Sequence, residues 1–339
     1  MKRLWFALAA LAYSAAAQQQ SALNPAGPQS GRIAGLWWFF FYLLGAIFII
    51  VMLIMLRTLM RGHRNAEENQ PLENHERAQT RETRLRSIVT VSSVVTVVLL
   101  FILLVASISI GKANADLGAS GKPMIIQVIG NQWWWQFSYL NDDPSQVLTT
   151  ANEIHIPIGK TVLIQGQSND VIHSFWVPNL HGKRDLIPSR VTTEYIRADR
   201  PGIYRGQCAE FCGLQHAHMA FYIVAEPEDK FKAWMQAQLQ PAVAPATPAL
   251  AQGQQNFLNY ACVYCHQIRG TTASGTNGPD LTHFGSRRTI AAGTLPNTPG
   301  NLGGWIVNPQ SIKPGNHMAT IAVKPDDLQP MIQYLESLK

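Results

Sequence analysis

Hydrophobic patterning divides the chain into regimes. Met1-Lys2-Arg3 is followed by apolar Leu4 to Ala12 and by small Ala15-Ala16-Ala17, the layout of a signal peptide over residues 1–17. Ile33 to Leu56 and Ile88 to Ile110 contain no Asp, Glu, Lys or Arg. At a rise of about 1.5 Å per residue each run spans a hydrocarbon core of about 30 Å. A transmembrane helical hairpin is therefore expected over residues 30–112, with spans at about 33–56 and 88–110. The intervening loop carries Arg57, Arg61, Arg64, Arg77, Arg81, Arg84 and Arg86, and an excess of Arg marks the cytoplasmic side. Everything after the second span is then expected outside.

Helical periodicity disappears between residues 120 and 240. Met124-Ile-Ile-Gln-Val-Ile, Glu153-Ile-His-Ile-Pro-Ile, Thr161-Val-Leu-Ile-Gln and Phe221-Tyr-Ile-Val read as short strands punctuated by Gly, Pro and Asn. An all-β Greek-key sandwich or barrel is expected, with functional residues on loops at one end. Asp229 to Leu239 reads as a helix. Pro241 to Leu250, with three Pro among Ala and Thr, reads as a linker. Residues 251–339 form a further, helical unit. In it Leu328, Met331, Ile332, Leu335 and Leu338 make one apolar helix face.

Charged residues are only 14% of the chain against 47% hydrophobic, which argues against a wholly soluble protein. The net charge of +6 has no basic stripe interleaved with aromatics, so no nucleic-acid partner is implied. The four Cys fall in two clusters of metal type, leaving none for a structural disulfide.

The first cluster is Cys208-Ala-Glu-Phe-Cys212-Gly-Leu-Gln-His216-Ala-His-Met219. Thiolate and thioether are soft ligands that suit copper, and a His2Cys site with a weak axial Met holds a single copper. This loop offers two Cys. Two thiolates could bridge two coppers, each capped by one imidazole, with His173 of Asp170-Val-Ile-His173-Ser as the second His. The bland alternative is a C-x3-C disulfide beside an unrelated His and Met. The second cluster, Cys262-Val-Tyr-Cys265-His266, is the C-x-x-C-H attachment signature of c-type haem. Its sixth ligand should be a Met or His further on, since Met/His ligation is usual in electron-transfer cytochromes c. Met318 stands in the Pro/Gly-bounded Ile-Lys-Pro-Gly-Asn-His-Met loop. Met331 falls on the apolar helix face, and His283 and His317 are the other candidates.

The first cluster resembles the dinuclear copper (copper A) domain of cytochrome c oxidase subunit II, a cupredoxin-like fold. By that resemblance Cys208 and Cys212 bridge the coppers and His173 and His216 are terminal ligands. Met219 and the backbone carbonyl of Glu210 would be the weak axial ligands. Gly130-Asn-Gln-Trp133-Trp134-Trp135 matches the family's aromatic stretch, which implies Trp133 as the residue where electrons arrive. The Glu210 side chain would reach a magnesium ion at the boundary with subunit I, with Asp185 nearby. Glu82 is the acidic residue ahead of the second span, without the Trp and Pro that follow it in the family. The second cluster, with Gly278-Pro279-Asp280-Leu281, resembles class I cytochrome c, and the pattern departs from it in Ala319, where the family often has Pro after the ligating Met.

Hairpin, copper domain and cytochrome domain in this order are similar to subunit II of a caa-type cytochrome c oxidase. The resemblance implies a multi-pass subunit of a bacterial inner membrane, with its copper and haem domains on the periplasmic side. Electrons would arrive from cytochrome c or another periplasmic or membrane donor. They would pass from haem c to copper A and on to subunit I, where oxygen is reduced to water with proton pumping. Neither span contains a His, so the oxygen chemistry belongs to a partner. The competing readings are the small subunit of a copper-A nitric oxide reductase and a membrane-tethered electron carrier.

Overall fold

The computed structural model describes residues 20–62, 75–115 and 123–339. The signal segment over 1–17 and the middle of the Arg-rich loop lie outside the described residues. The chain separates into two compact units, one over Arg32–Asp116 and the other holding the rest.

The first unit consists of α1 (Pro28–Gly62) from Arg32 onward and α2 (His75–Ala115). Both are long and apolar enough to cross a membrane, and their most apolar windows are wholly unburied. Side chains such as Phe48, Leu53, Val97 and Phe101 are exposed. A helix that is hydrophobic all round without protein cover is one solvated by lipid. The Arg32 guanidinium donates to the Ala113 carbonyl at 2.6 Å and to Asn114 Oδ1 at 3.2 Å. It thereby satisfies a carbonyl that the end of α2 leaves without an intrahelical partner.

The second unit begins with a ten-stranded sandwich. One sheet runs β3 (Leu148–Ala151), β2 (Trp134–Leu140), β1 (Met124–Asn131), β5 (Val162–Ser168), β8 (Thr192–Ile196). The other runs β4 (Glu153–Pro157), β10 (Ala220–Glu226), β9 (Gly202–Cys208), β6 (His173–Trp176), β7 (Lys183–Leu186). β1 pairs parallel with β5 and β10 with β4, and the remaining pairs are antiparallel. Alternation of buried and half-buried residues along β5, and along β9 from Ile203 onward, puts one face of each strand into the core. Phe175 and Phe221 stack at 4.7 Å in that core, and Trp135 meets Phe221 edge-on at 5.1 Å. A side chain at Gly206 would collide with the Phe221 ring, so the glycine makes room for this stack. The Tyr139 hydroxyl joins the two sheets, donating to the His155 carbonyl at 2.7 Å and accepting from the His155 amide at 2.8 Å.

α3 (Glu228–Leu239) lays Phe231 and Trp234 on the sandwich. The segment read as a linker is short and pinned down. Ala242 donates to the Arg269 carbonyl at 2.9 Å, and helix α4 (Pro248–Asn259) already begins inside it, capped by Thr247 with Pro248 in its first turn. The helical lobe expected to be a cytochrome domain follows, with α5 (Pro299–Val307), α6 (Pro309–Ile312) and α7 (Pro325–Ser337). α4 crosses α7 so closely that a Cβ at Gly253 would overlap the Pro330 carbonyl. Met331, Ile332, Leu335 and Leu338 are buried in this core, as their spacing predicts.

Glu194 is buried on β8, and neither carboxylate oxygen has a hydrogen-bond partner among the described residues. His181 Nδ1 lies 3.6 Å away. Burial pushes Glu194 up to about 8 from 4.5, while burial and then Arg184 hold His181 down at about 4 from 6.5. Glu194 therefore contributes most stability below pH 4.5, where it is protonated folded and unfolded, and that contribution falls as pH rises towards 8. His181 acts in the opposite sense, and its contribution is lost on acidification between 6.5 and 4. Glu194→Gln should raise the denaturation midpoint of the detergent-solubilised chain at pH 8 and change it little at pH 4.5. A gain of equal size at both pH values would contradict a buried, protonated carboxyl.

Candidate metal and haem sites

β9 ends at Cys208 and β10 starts at Ala220, so the intervening loop leaves and re-enters the same sheet. The Cys208 amide donates to the Met219 carbonyl at 3.0 Å and closes its base. The Ala209 amide donates to the Ser174 carbonyl at 3.0 Å, bringing the loop against β6, whose first residue is His173. Gly213, at a φ of +110°, takes the turn over the Trp133 ring. A short 3-10 turn, His216–His218, then swings His216 inward.

The donor atoms converge in two matched sets. Cys208 Sγ lies 3.9 Å from His173 Nδ1 and 3.1 Å from the Glu210 carbonyl oxygen. Cys212 Sγ lies 3.6 Å from His216 Nδ1 and 3.9 Å from Met219 Sδ. The two sulfurs are 3.7 Å apart. The ligand atoms of His173, Cys208 and Cys212 all fall within 4.8 Å of one another. Each sulfur thus has one imidazole and one weak donor of its own. That set fits two soft ions sharing two thiolates, and it is the wrong chemistry for a hard cation such as magnesium. The Cys212 thiol, hydrogen-bonded to Cys208, holds Cys208 far below the usual thiol range, and the same contact pushes Cys212 up.

Asp170, which the spacing alone does not single out, orients His173. Its Oδ1 lies 2.7 Å from His173 Nε2, so that nitrogen donates and Nδ1 turns its lone pair to the sulfurs. Burial opposes a charge on His173, but its bonds to Asp170 and Cys208 outweigh that and hold its pKa above the ordinary value. The ring packs against Gly130, where a Cβ would lie 2.6 Å from His173 Cδ2. The Gln132 side chain and the Trp133 indole both donate to the Cys212 carbonyl, at 2.8 and 2.9 Å. Trp135 Nε1 donates to the Met219 carbonyl at 3.3 Å. The Gly-Asn-Gln-Trp stretch is therefore a scaffold for the loop's backbone. His218 is exposed and bonds Gln215, away from the sulfurs. The Glu210 carboxylate and Asp185 both reach the Lys183 ammonium, at 3.3 and 2.6 Å.

In the cytochrome lobe Cys262 and Cys265 lie on and just after a 3-10 turn that ends before His266. His266 Nδ1 donates to the Pro279 carbonyl at 2.8 Å. Burial keeps the imidazole neutral, and Nε2 is left with a free lone pair, as an iron ligand requires. A Cβ at Gly278 would sit 2.8 Å from His266 Cε1, so the glycine lets this loop close on the ring. Two thiols next to an oriented neutral imidazole fit an attached haem. Met318 is half-buried in a loop fixed by Asn316 and by Gln310, which donates to its carbonyl at 3.0 Å. Of the other candidates, Met331 lies in the core and His283 is clamped between the Gln240 and Lys339 carbonyls. The His317 ring faces Trp133 at 5.9 Å.

Two family descriptions match the chain: "Cytochrome C oxidase subunit II, periplasmic domain" over residues 140–226 and "Cytochrome c" over residues 250–339. Cytochrome c oxidase subunit 2 of Alkalihalophilus pseudofirmus is 37% identical over 252 residues, covering 73% of this chain and 72% of the relative. The protein of the same name from Bacillus sp. strain PS3 is 31% identical over 265 residues, covering 73% of each. Among solved structures, the periplasmic domain of subunit II of cytochrome oxidase from Bradyrhizobium japonicum is 28% identical. It covers 35% of this chain and 95% of that one, at a TM-score of 0.33. With both domains matched in sequence order after two apolar helices, the chain belongs to the cytochrome c oxidase subunit II family, in the form that carries a C-terminal cytochrome c domain.

Proposed function

We propose that this subunit takes electrons in at its cytochrome lobe, passes them to the Cys208–Cys212 loop and delivers them to subunit I, where oxygen is reduced to water with proton pumping. Family membership makes the chain a membrane subunit of a haem-copper oxidase that binds copper and haem. The finer assignment is ours. A haem c attached through Cys262 and Cys265, with His266 and Met318 as axial ligands, and a copper A centre held by His173, Cys208, Glu210, Cys212, His216 and Met219 supply one-electron redox chemistry when bound.

The observation that carries this reading is the matched pair of donor sets around two sulfurs 3.7 Å apart. The residues themselves supply rigidity. Asp170 fixes the His173 ring, Pro279 fixes the His266 ring, and four side chains of the copper set are buried. Ligands that cannot move between redox states keep reorganisation small, and their burial excludes water. The Trp133 indole is bonded to the Cys212 carbonyl and turned to the cytochrome lobe, which supports it as the point where electrons arrive. The Glu210 side chain is the group we assign to a magnesium ion at the boundary with subunit I; Asp185 stands beside it, and in this chain alone both carboxylates pair with Lys183. The Arg-rich ends of α1 and α2 support a reading with the hairpin loop in the cytoplasm and both C-terminal lobes in the periplasm.

Cys212→Ser removes one of the two bridging sulfurs and should change the number of metals, not merely their affinity. Copper EPR of the purified chain is expected to show hyperfine structure spread over two nuclei in the wild type and a single-nucleus pattern, or none, in the variant. Met219→Leu should keep the two-nucleus pattern and shift the potential. A single-nucleus spectrum from fully loaded wild type would overturn the dinuclear reading. Protease added to intact spheroplasts should release the cytochrome lobe; protection of that lobe would reverse the orientation.

A further inference from the structure

Lys313 is an unusual lysine. Its side chain is only 2% exposed, and its amine donates to the Trp133 carbonyl at 2.7 Å and to the Ala291 carbonyl at 3.1 Å. Among the described residues no carboxylate pairs with it, and burial lowers its pKa to about 7. Burying an amine this deeply is costly, so the position calls for a reason. One of the two carbonyls belongs to the copper domain, beside the Cys212 loop, and the other to the cytochrome lobe.

The loop that presents Ala291 is shaped for the same boundary. Ala291, Ala292 and Gly293 all have positive φ, of 51°, 56° and 74°. Two consecutive alanines in the left-handed region are an expensive choice of backbone. The Ala292 carbonyl accepts from the Ala220 amide at 2.9 Å, one residue past Met219, and Gly293 packs on Ala220. Gln215 donates to the Pro314 carbonyl at 2.7 Å, and Gly315 packs against Leu214. Contacts to the cytochrome lobe therefore ring the copper loop, with Lys313 reaching furthest in.

We propose that Lys313 is a positioning residue whose buried amine latches the cytochrome lobe over the Trp133–Cys212 corner of the copper loop and fixes the path between the two redox sites. The proposal rests on the electron-transfer reading above. It differs from an ordinary satisfied lysine in what its loss would do. Removing the amine should free the lobe from the copper loop while each lobe keeps its own fold and ligands.

The test is Lys313→Met in the full chain within its oxidase complex, a change that keeps an unbranched apolar side chain without the amine. The haem spectrum and the two-nucleus copper EPR pattern should be retained. Hydroxyl-radical labelling of Trp133 should rise about tenfold, the factor that corresponds to losing about 1.4 kcal/mol of hydrogen bonding across the boundary. Intrachain transfer after photoreduction of the haem should slow by at least a similar factor, a change that a role confined to the cytochrome lobe's stability would not produce. Wild-type levels of labelling and transfer in Lys313→Met would overturn the proposal. If Lys313→Met loses haem or copper, Gly293→Val, which wedges the same boundary at Ala220, should reproduce both effects, and its failure to do so would count against the latch. In the wild type itself, Trp133 labelled as heavily as the exposed Tyr264 would also overturn it. Absence of the two-nucleus copper signal in the wild type would instead remove the electron-transfer reading, and the labelling comparison would still decide whether Lys313 holds the lobes together.

Discussion

Two sulfur atoms held 3.7 Å apart and away from water impose the constraint on which the rest of the sandwich depends. A loop bearing two thiols, an imidazole and a thioether has no intrinsic reason to fold them toward one point. It does so because its backbone is tied at successive places. Met219 accepts from Cys208, Ser174 accepts from the residue after Cys208, and the Cys212 carbonyl takes hydrogen bonds from Gln132 and Trp133. Those donors come from the first turn of the other sheet, so the end of the sandwich is closed by the site itself. The aromatic stack of Trp135, Phe175 and Phe221 directly beneath gives this corner a rigid floor.

Electrostatics divides along the same line. Around the sulfurs, every charge or dipole is aimed: Asp170 at one imidazole, carbonyls at indole and amide donors. Elsewhere, the buried Glu194 carboxyl and His181 Nδ1 have no hydrogen-bond partner among the described residues, and both groups rest in neutral forms. The sandwich thus concentrates its satisfied polar bonds where ligands must not move, and tolerates unsatisfied groups elsewhere.

Much of this was legible in the residues. The apolar runs predict α1 and α2, four short β-type runs predict β1, β4, β5 and β10, and Cys262-x-x-Cys265-His266 with Gly278-Pro279 marks two segments that the fold brings together through His266 and the Pro279 carbonyl. Cys, His and Met at short offsets mark the copper loop because ligands on one loop leave their spacing in the sequence. What stayed hidden has no local period. Lys313 lies 180 residues from the Trp133 carbonyl it bonds, and nothing in Ser-Ile-Lys-Pro announces a buried amine. Asp170 sits inside a quoted motif, yet only the distance to His173 reveals its task. The Pro-rich stretch after 240 has the composition of a free tether. Arg269 holds it instead, by reaching back to the last carbonyls of α3. Composition reports chain stiffness and is silent about a single arginine elsewhere.

The crossing of α4 and α7 also bears on how the subunit is made. These helices lie some seventy residues apart in sequence, and Gly253, Pro330 and Tyr334 interlock them. The Gly285 amide is likewise satisfied only by the Leu338 carbonyl. A chain threaded through a membrane from its N-terminus can close the sandwich while the cytochrome lobe still lacks the helix that seals its core. Until α7 arrives, the core that Phe257 shares with Met331, Ile332 and Leu335 is incomplete. The order of synthesis therefore leaves the surroundings of Cys262 and Cys265 to be completed last.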